Sequence, residues 1–466
     1  MSGDNHISPL RQTVKVSNLE GVFAQISGSL SAPGSIFLTK FVVMLGARPF
    51  HFSLISAISQ LSQVFQLLGI AITHKIASRK NAVVSLTAFG RAMAFLYGLL
   101  PFILLPKAMS FFIPLLFLST SLQAIGGNIW IAWISDMVPL RMRGRFFSRR
   151  FQYLMLTGLL TGYIAGFFLD LFESPPGVIA RAIISITGKI ALFRPVNLPY
   201  AFIGIFTIAA IIGLIGTKIL ATQPDRPPLR QKETFPELFS TPLRDKNFRR
   251  LLGYGLWWML AVGIASPFWQ PFMIKKLGMS LVNIQLYGTI STLSGIAVLP
   301  AWGILIDRFG NKTAMRLAIL LGGLNPMVWL FVTPQNYWPI YLEAATSGIM
   351  WSGTSVITTN FVLAIAPDQR RQVYSGIFGA FSGMAMMITM LFSGIFLPPP
   401  IKIFGIHLEP EQVLFGLTGL ARWSTQIPLS WITEPKAKPV GEMLYFFWEF
   451  TKVRITQFGD WLFPKR

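Results

Sequence analysis

The 466-residue chain contains no cysteine, which excludes disulfide bonds, thiol chemistry and thiolate metal sites. Acids are scarce, 18 Asp and Glu against 40 Lys and Arg, and there are 4 His. His51, His74 and His407 fall in loops or at helix ends, so no histidine relay and no metal site is expected. The signatures of soluble enzymes are missing as well: no Gly-x-Gly-x-x-Gly, no Gly-Lys-Ser phosphate loop, no His-Glu-x-x-His and no nucleophile elbow. These absences lead to the expectation of a protein without cofactor or catalytic residues, not an enzyme.

Charge of either sign is also sparse, at 12% of residues, whereas 53% are hydrophobic. Ordinary soluble domains carry roughly a quarter charged residues. Apolar stretches of about 20 residues, enough to cross a bilayer, recur at 20–45, 52–72, 82–105, 109–138, 151–172, 199–221, 250–274, 281–306, 313–333, 339–366, 372–397 and 411–432. In hydrocarbon each backbone amide must be satisfied within its own segment, so runs of this length are read as helices. Twelve spans place both termini on one side.

The net charge of +22 would suggest nucleic acid in a soluble protein, so its distribution decides. Of the 40 Lys and Arg, 28 lie on the side of the termini, 8 on the other and 4 within spans. This positive-inside pattern makes the termini cytoplasmic in an inner or plasma membrane, and makes the lipid bilayer, not nucleic acid, the partner of the charge. The densest clusters are Arg141, Arg143, Arg145, Arg149 and Arg150 after the fourth span, and Arg226, Arg230, Lys232, Arg244, Lys246, Arg249 and Arg250 between the sixth and seventh. No removable signal peptide is read at the N-terminus; the first span is expected to stay as an anchor.

An internal repeat organises the spans. Leu45, Gly46, Leu54, Ile58, Ser59, Leu61 and Ser62 are matched by Leu277, Gly278, Leu286, Ile290, Ser291, Leu293 and Ser294, each 232 positions later (277 − 45). Thr222, Gln223 and Pro224 after span six echo Thr433, Glu434 and Pro435 after span twelve. The expected architecture is an all-α membrane protein of two pseudo-symmetric six-helix halves. Residues 1–18 form a cytoplasmic segment, 19–221 the first half, 222–249 a Pro- and charge-rich linker, 250–433 the second half and 434–466 an amphipathic cytoplasmic tail. The apolar run 178–193, broken by Arg181 and Lys189, is read as an interfacial helix.

Between spans eight and nine, Gly303, Asp307, Arg308, Gly310 and Lys312 resemble the Gly-x-x-x-Asp-Arg-x-Gly-x-Lys loop of the major facilitator superfamily. In the first half only Lys80 keeps the register, with Lys75 opposite Asp307 and Ser78 opposite Gly310. The resemblance implies a gating role for Asp307 and Arg308, and a secondary transporter or facilitator moving a small organic solute by alternating access. A non-transporting scaffold or assembly factor on the same fold, and a lipid translocase, are the alternatives. A monomer is expected.

Broken helices at equivalent places in two repeats point to a binding site. Span one is interrupted at Ser31, Ala32, Pro33, Gly34 and Ser35, and span seven at Gly263, Ile264, Ala265, Ser266 and Pro267. The resemblance also implies a central cavity lined by the first, fourth, seventh and tenth spans. Candidate lining residues are Gln25, Asn128, Trp133, Trp258, Trp269, Gln270, Trp351 and Asn360. Charges within spans are costly and invite a functional reading. Arg91 and Arg422 lie deep in spans three and twelve, either bonded to carbonyls or an acid of a neighbouring helix or recognising an anionic group. Glu20, Asp136, Asp170 and Glu343 sit near span ends, where each is read as solvated, and Asp136 is expected to pair with the arginines after Pro139. Glu343 is the deepest and the first choice for a proton-coupling site; a coupling proton or sodium ion is the ion partner considered.

Overall fold

The computed structural model describes residues 9–73, 78–103, 107–173, 181–182, 185–186, 194–225, 242–367, 370–403, 405–434, 437–443 and 445. Most of the 178–193 run, Arg226, Arg230 and Lys232 of the linker, Lys75 of the first loop and the tail beyond 445 lie outside these residues.

A helix or a pair of helices occupies each of the twelve expected spans. Span one is α1 (Pro9–Ser31) and α2 (Ile36–Met44); spans two to six are α3 (Pro49–Thr73), α4 (Arg79–Ile103), α5 (Ala108–Met137), α6 (Leu140–Asp170) and α7 (Leu198–Leu220). Span seven is α8 (Lys246–Gly263) and α9 (Trp269–Lys275). Spans eight to eleven are α10 (Leu281–Phe309), α11 (Asn311–Val328), α12 (Pro339–Ile365) and α13 (Arg371–Ile395), and span twelve is α14 (Pro410–Ser424) with α15 (Gln426–Ser430). Among the described residues, eight of these stretches are individually long and apolar enough to cross a membrane; spans two, seven, nine and twelve are not among them. This is a multi-pass membrane protein. Among the described residues, strand pairing is limited to a ribbon, β1 (Ile401–Ile403) against β2 (Ile406–Leu408), between the last two spans, and an isolated bridge between Thr333 and Asn336.

The halves repeat each other's packing. In the first, α4 packs on α5 and α7, α1 on α6 and α7, and α3 on α5; in the second, α11 packs on α12 and α14, α8 on α13 and α14, and α10 on α12. Between the halves, α3 meets α13 and α6 meets α10, a pair of contacts that exchange under the same two-fold relation.

Small residues let these helices approach, since packing and interhelical hydrogen bonds, not the hydrophobic effect, hold helices together in lipid. A Cβ on Gly98 would lie 2.9 Å from the Ile203 Cα of α7, and one on Gly295 would lie 2.9 Å from the Gly348 carbonyl oxygen of α12.

Both spans expected to break do so. Gly34 takes a left-handed φ of 87°, and Ser35 then caps α2 by accepting from Phe37 N at 3.2 Å. Each broken span therefore delivers backbone and short polar groups where the halves face each other.

One core spans the halves at the end opposite the linker. It joins Phe41, Phe112, Phe202 and Phe206 of the first half to Phe272, Leu281, Trp329 and Phe415 of the second. At the linker end the buried clusters are separate, around Phe248, Trp302, Phe309 and Tyr374 in the second half and around Trp133 and Phe146 in the first.

Candidate functional site

Four adjoining cavities, of about 270, 370, 310 and 360 Å³, lie between the halves. They share walls: Gly34 borders the first and last, Gln270 the first two, Trp351 the second and third, and Gln285 the second and last. The breaks in spans one and seven stand at the centre of this space.

Helical spacing explains the polar lining. Gln285, Gly288, Thr289 and Thr292 lie on one stripe of α10, facing Met155, Gly158, Leu159 and Gly162 of α6 and Gln25 and Ser29 of α1. On the second-half side, Tyr287, Trp329, Glu343, Ser347, Trp351 and Arg422 share one wall with Trp269 and Gln270. Glu343 is 5% exposed, and its carboxylate accepts from the Tyr287 hydroxyl at 2.8 Å.

Among the described residues, the hydrogen bonds that join the halves lie from the middle of the molecule to the end opposite the linker. The Thr39 hydroxyl donates to Gln270 Oε1 at 2.7 Å, and Gln270 Nε2 donates to the Gly34 carbonyl at 2.9 Å. Asp170, the last residue of α6, accepts from Leu281 N at 2.8 Å and Val282 N at 3.0 Å, capping α10 across the interface. The Tyr163 hydroxyl reaches Thr289 Oγ1 at 3.2 Å. The far end is thus closed by hydrogen bonds and a shared core.

Of the candidates from sequence, Gln25, Trp269, Gln270, Trp351, Glu343 and Arg422 border these cavities. The others do different things. Trp133 is fully buried, its indole N–H donating to the Pro224 carbonyl at 3.2 Å. Trp258 is 2% exposed and supports Trp351 edge-on at 6.2 Å from behind. Asn128 and Asn360 line none of the four cavities, and span four contributes no residue to them. The polar stripe of α10 and Tyr287 were missed, although the i, i+3, i+4, i+7 spacing of Gln285, Gly288, Thr289 and Thr292 was available in the sequence.

The two intramembrane arginines have different surroundings. Arg91 Nη2 donates to Glu20 Oε1 at 2.7 Å, and Nη1 reaches the Gly213 carbonyl at 3.1 Å and Thr217 Oγ1 at 3.2 Å. Arg150 Nη2 meets the other oxygen of Glu20 at 3.2 Å while its guanidinium lies 4.5 Å over the Trp130 ring. Glu20 is therefore not the solvated terminal acid the hydropathy boundary suggested: it is 4% exposed and ties α1, α4 and α6 together. Asp136 accepts from Arg79 at 2.5 Å, linking spans three and four, and Lys40 pairs with Glu173 at 2.5 Å. Asp170 is engaged in capping, as described.

The loop between α10 and α11 turns at Gly310, whose φ is 85°. The backbone N–H groups of Asn311 and Lys312 donate to Glu434 at 2.9 and 2.6 Å, and Lys312 Nζ donates to the Ser430 and Ile432 carbonyls at 2.9 and 2.7 Å. Gly303 lies within α10, and Asp307 and Arg308 are exposed at its linker end, Arg308 at 5.6 Å from the Phe309 ring.

Residues 251–399, which include this loop, match the sequence model of the Major Facilitator Superfamily. That stretch, 149 of the 466 residues, is similar to the superfamily. The chain's fold is shared over both halves by the crystal structure of the nucleoside transporter NupG, at a TM-score of 0.63 and 14% identity, covering 91% of this chain and 99% of that one. A bacterial homologue of the iron transporter ferroportin, in an inward-facing state, aligns at a TM-score of 0.60 and 12% identity over 92% of this chain and 100% of the other. In sequence, the multi-drug resistance efflux pump PmrA of Streptococcus pneumoniae serotype 4 is 26% identical over 168 residues, 34% of this chain. That match spans 38% of the pump's length. The fold shared with these transporter structures accounts for the repeated packing of the halves around a central space.

Proposed function

We propose that this protein is a secondary transporter or facilitator of a small organic solute, seated in the inner or plasma membrane with both termini cytoplasmic and working as a monomer by alternating access. The observation that carries the reading is the cavity system walled by both halves and closed at the end opposite the linker. With basic loops placed in the cytoplasm by the positive-inside rule, the closed end is the outer one and this state faces inward. The lining is neither collapsed nor wholly apolar, which supports transport over a scaffold. Its mixture of Trp, Tyr, Gln, Ser and Thr suits a moderately polar or amphipathic solute.

Three parts of the site take roles on this reading. Trp351, Trp269, Gln270, Gln25 and Arg422 contact solute. Glu343, buried beside Tyr287, carries a coupling proton. Asp307 and Arg308, at the cytoplasmic end of α10, meet the basic start of α6 when the cytoplasmic side closes, because α6 and α10 are already neighbours at their other ends.

The absence of native cysteine makes the test direct. A single cysteine at Gln285 in the full chain should react with a membrane-impermeant maleimide added from either side of oriented vesicles, faster from the cytoplasmic side. Reaction from one side only, under every condition tried, would rule out alternating access.

A further inference from the structure

Arg91 and Arg422 are both buried guanidinium groups at mid-membrane depth, 7% and 4% exposed. Arg91 is provided for, with a carboxylate, a carbonyl and a hydroxyl around it. Arg422 is not. Of its five N–H donors, Nη1 reaches the Gly322 carbonyl at 3.2 Å, and Nε is buried with no partner. No ion pair joins it to an acid among the described residues, although Glu343 borders the same cavity. A buried donor left unmade is costly, and more so when it belongs to a charged group.

The ring beside Arg422, met edge-on by Trp258, is partly open. Trp351 lies 5.8 Å from the guanidinium and is 37% exposed, bordering two cavities. Trp269, by contrast, has one ring face taken up by its stack on Phe415 at 3.9 Å. A cation with spare donors and a partly open aromatic surface thus stand side by side in a space of about 370 Å³. Glu343 has a partner of its own, the Tyr287 hydroxyl at 2.8 Å.

We propose, resting on the transport reading above, that the solute is an organic monocarboxylate with a planar apolar body, its carboxylate held by Arg422 and its body laid on Trp351. The planar guanidinium fork matches a carboxylate and discriminates against neutral and cationic isosteres. Charge balance gives Glu343 its part. Among the described residues, the titratable groups that share its cavity wall are Tyr287 from α10 and Arg422 from α14. Once a solute carboxylate neutralises Arg422, an ionised Glu343 in the same enclosed space would leave a second, unbalanced anion. Solute and proton therefore bind together, the proton passing from water to the Glu343 carboxylate, and no bond of the solute breaks.

The test uses the full-length chain in detergent and three probes of one shape: phenylacetate, phenylacetamide and phenethylamine. Titration calorimetry should rank phenylacetate at least tenfold tighter than the other two. Its affinity should rise as the pH falls from neutral through the mildly acidic range in which the probe stays ionised. R422Q should remove the preference for the acid, R422K should restore part of it, and W351A should weaken the acid and the amide alike. E343Q should bind phenylacetate with no pH dependence. The wild-type ranking alone decides the matter if R422Q does not fold: amide or amine equal to or tighter than acid, or no binding by any of the three, overturns the proposal. An acid preference that survives in folded R422Q overturns it equally. Maleimide access at Gln285 needs no solute, so failure of this proposal stays distinguishable from failure of the transport reading.

Discussion

Replacing Glu20 by Gln removes the carboxylate from a site where two guanidinium groups converge. Arg91 is 7% exposed, and the side chain of Arg150 is 12% exposed. Arg91 cannot turn to water without leaving the fold, since it is also held by Gly213 and Thr217. Breaking a buried pair by deleting one partner typically costs about 3–5 kcal/mol, because the remaining charge keeps its desolvation penalty and loses its compensation. Glutamine still offers one carbonyl oxygen, which places E20Q near the lower figure, about 3 kcal/mol. At roughly 2–4 °C per kcal/mol for a unit the size of one half, the melting temperature should fall by about 6–12 °C. R91Q should cost less, about 1–3 kcal/mol, since Glu20 keeps Arg150. The double variant E20Q/R91Q should be less destabilised than the sum of the two. Differential scanning fluorimetry of the three proteins in one detergent measures all of this. Additive effects, or E20Q melting within roughly 1 °C of the parent, would refute the network as a structural tie.

Three further substitutions probe separate contacts. G295A puts a methyl group 2.9 Å from the Gly348 carbonyl and should lower stability by about 1–3 kcal/mol through overpacking of α10 on α12, read by thermal melting. D170A removes the cap that α6 places on α10; at about 0.5–2 kcal/mol it should raise the fraction open at the far end by roughly 2- to 30-fold, read as faster labelling of a cysteine at Ser266 from the side opposite the linker. E434A uncaps α11 and should cost about 0.5–2 kcal/mol in a melt, while E434Q, which keeps an acceptor oxygen, should cost less.

The breaks and the duplication were legible because each is local. Pro33-Gly34 and Ser266-Pro267 interrupt apolar runs by their own chemistry, and the shared register of Leu45 to Ser62 with Leu277 to Ser294 needs no partner to be seen. Long-range pairings were not legible. Hydropathy starts span one at about residue 20, but α1 begins at Pro9, so Glu20 sits 11 residues inside the helix, about 16 Å along it. The polar first turns of a membrane helix are invisible to an apolar window, and the same error left Arg149 and Arg150 in a loop although α6 starts at Leu140. Asn128 and Trp133 were placed in the cavity by the resemblance to major facilitator proteins, whereas the α10 stripe could have been read from spacing alone. The surroundings of Arg422 depend on α11, α12 and α14 meeting in space, which no single segment encodes.

The central claim is that the two halves rock about the cavity, and paired spin labels on the cysteine-free chain test it most directly. One pair, at Arg48 and Pro399, reports the far end across the halves; the other, at Arg149 and Arg308, reports the linker end. In lipid nanodiscs the account predicts two distance populations for each pair, the far-end distance lengthening in the molecules whose linker-end distance shortens. A single unchanging distance at both ends, across pH and lipid composition, would contradict it.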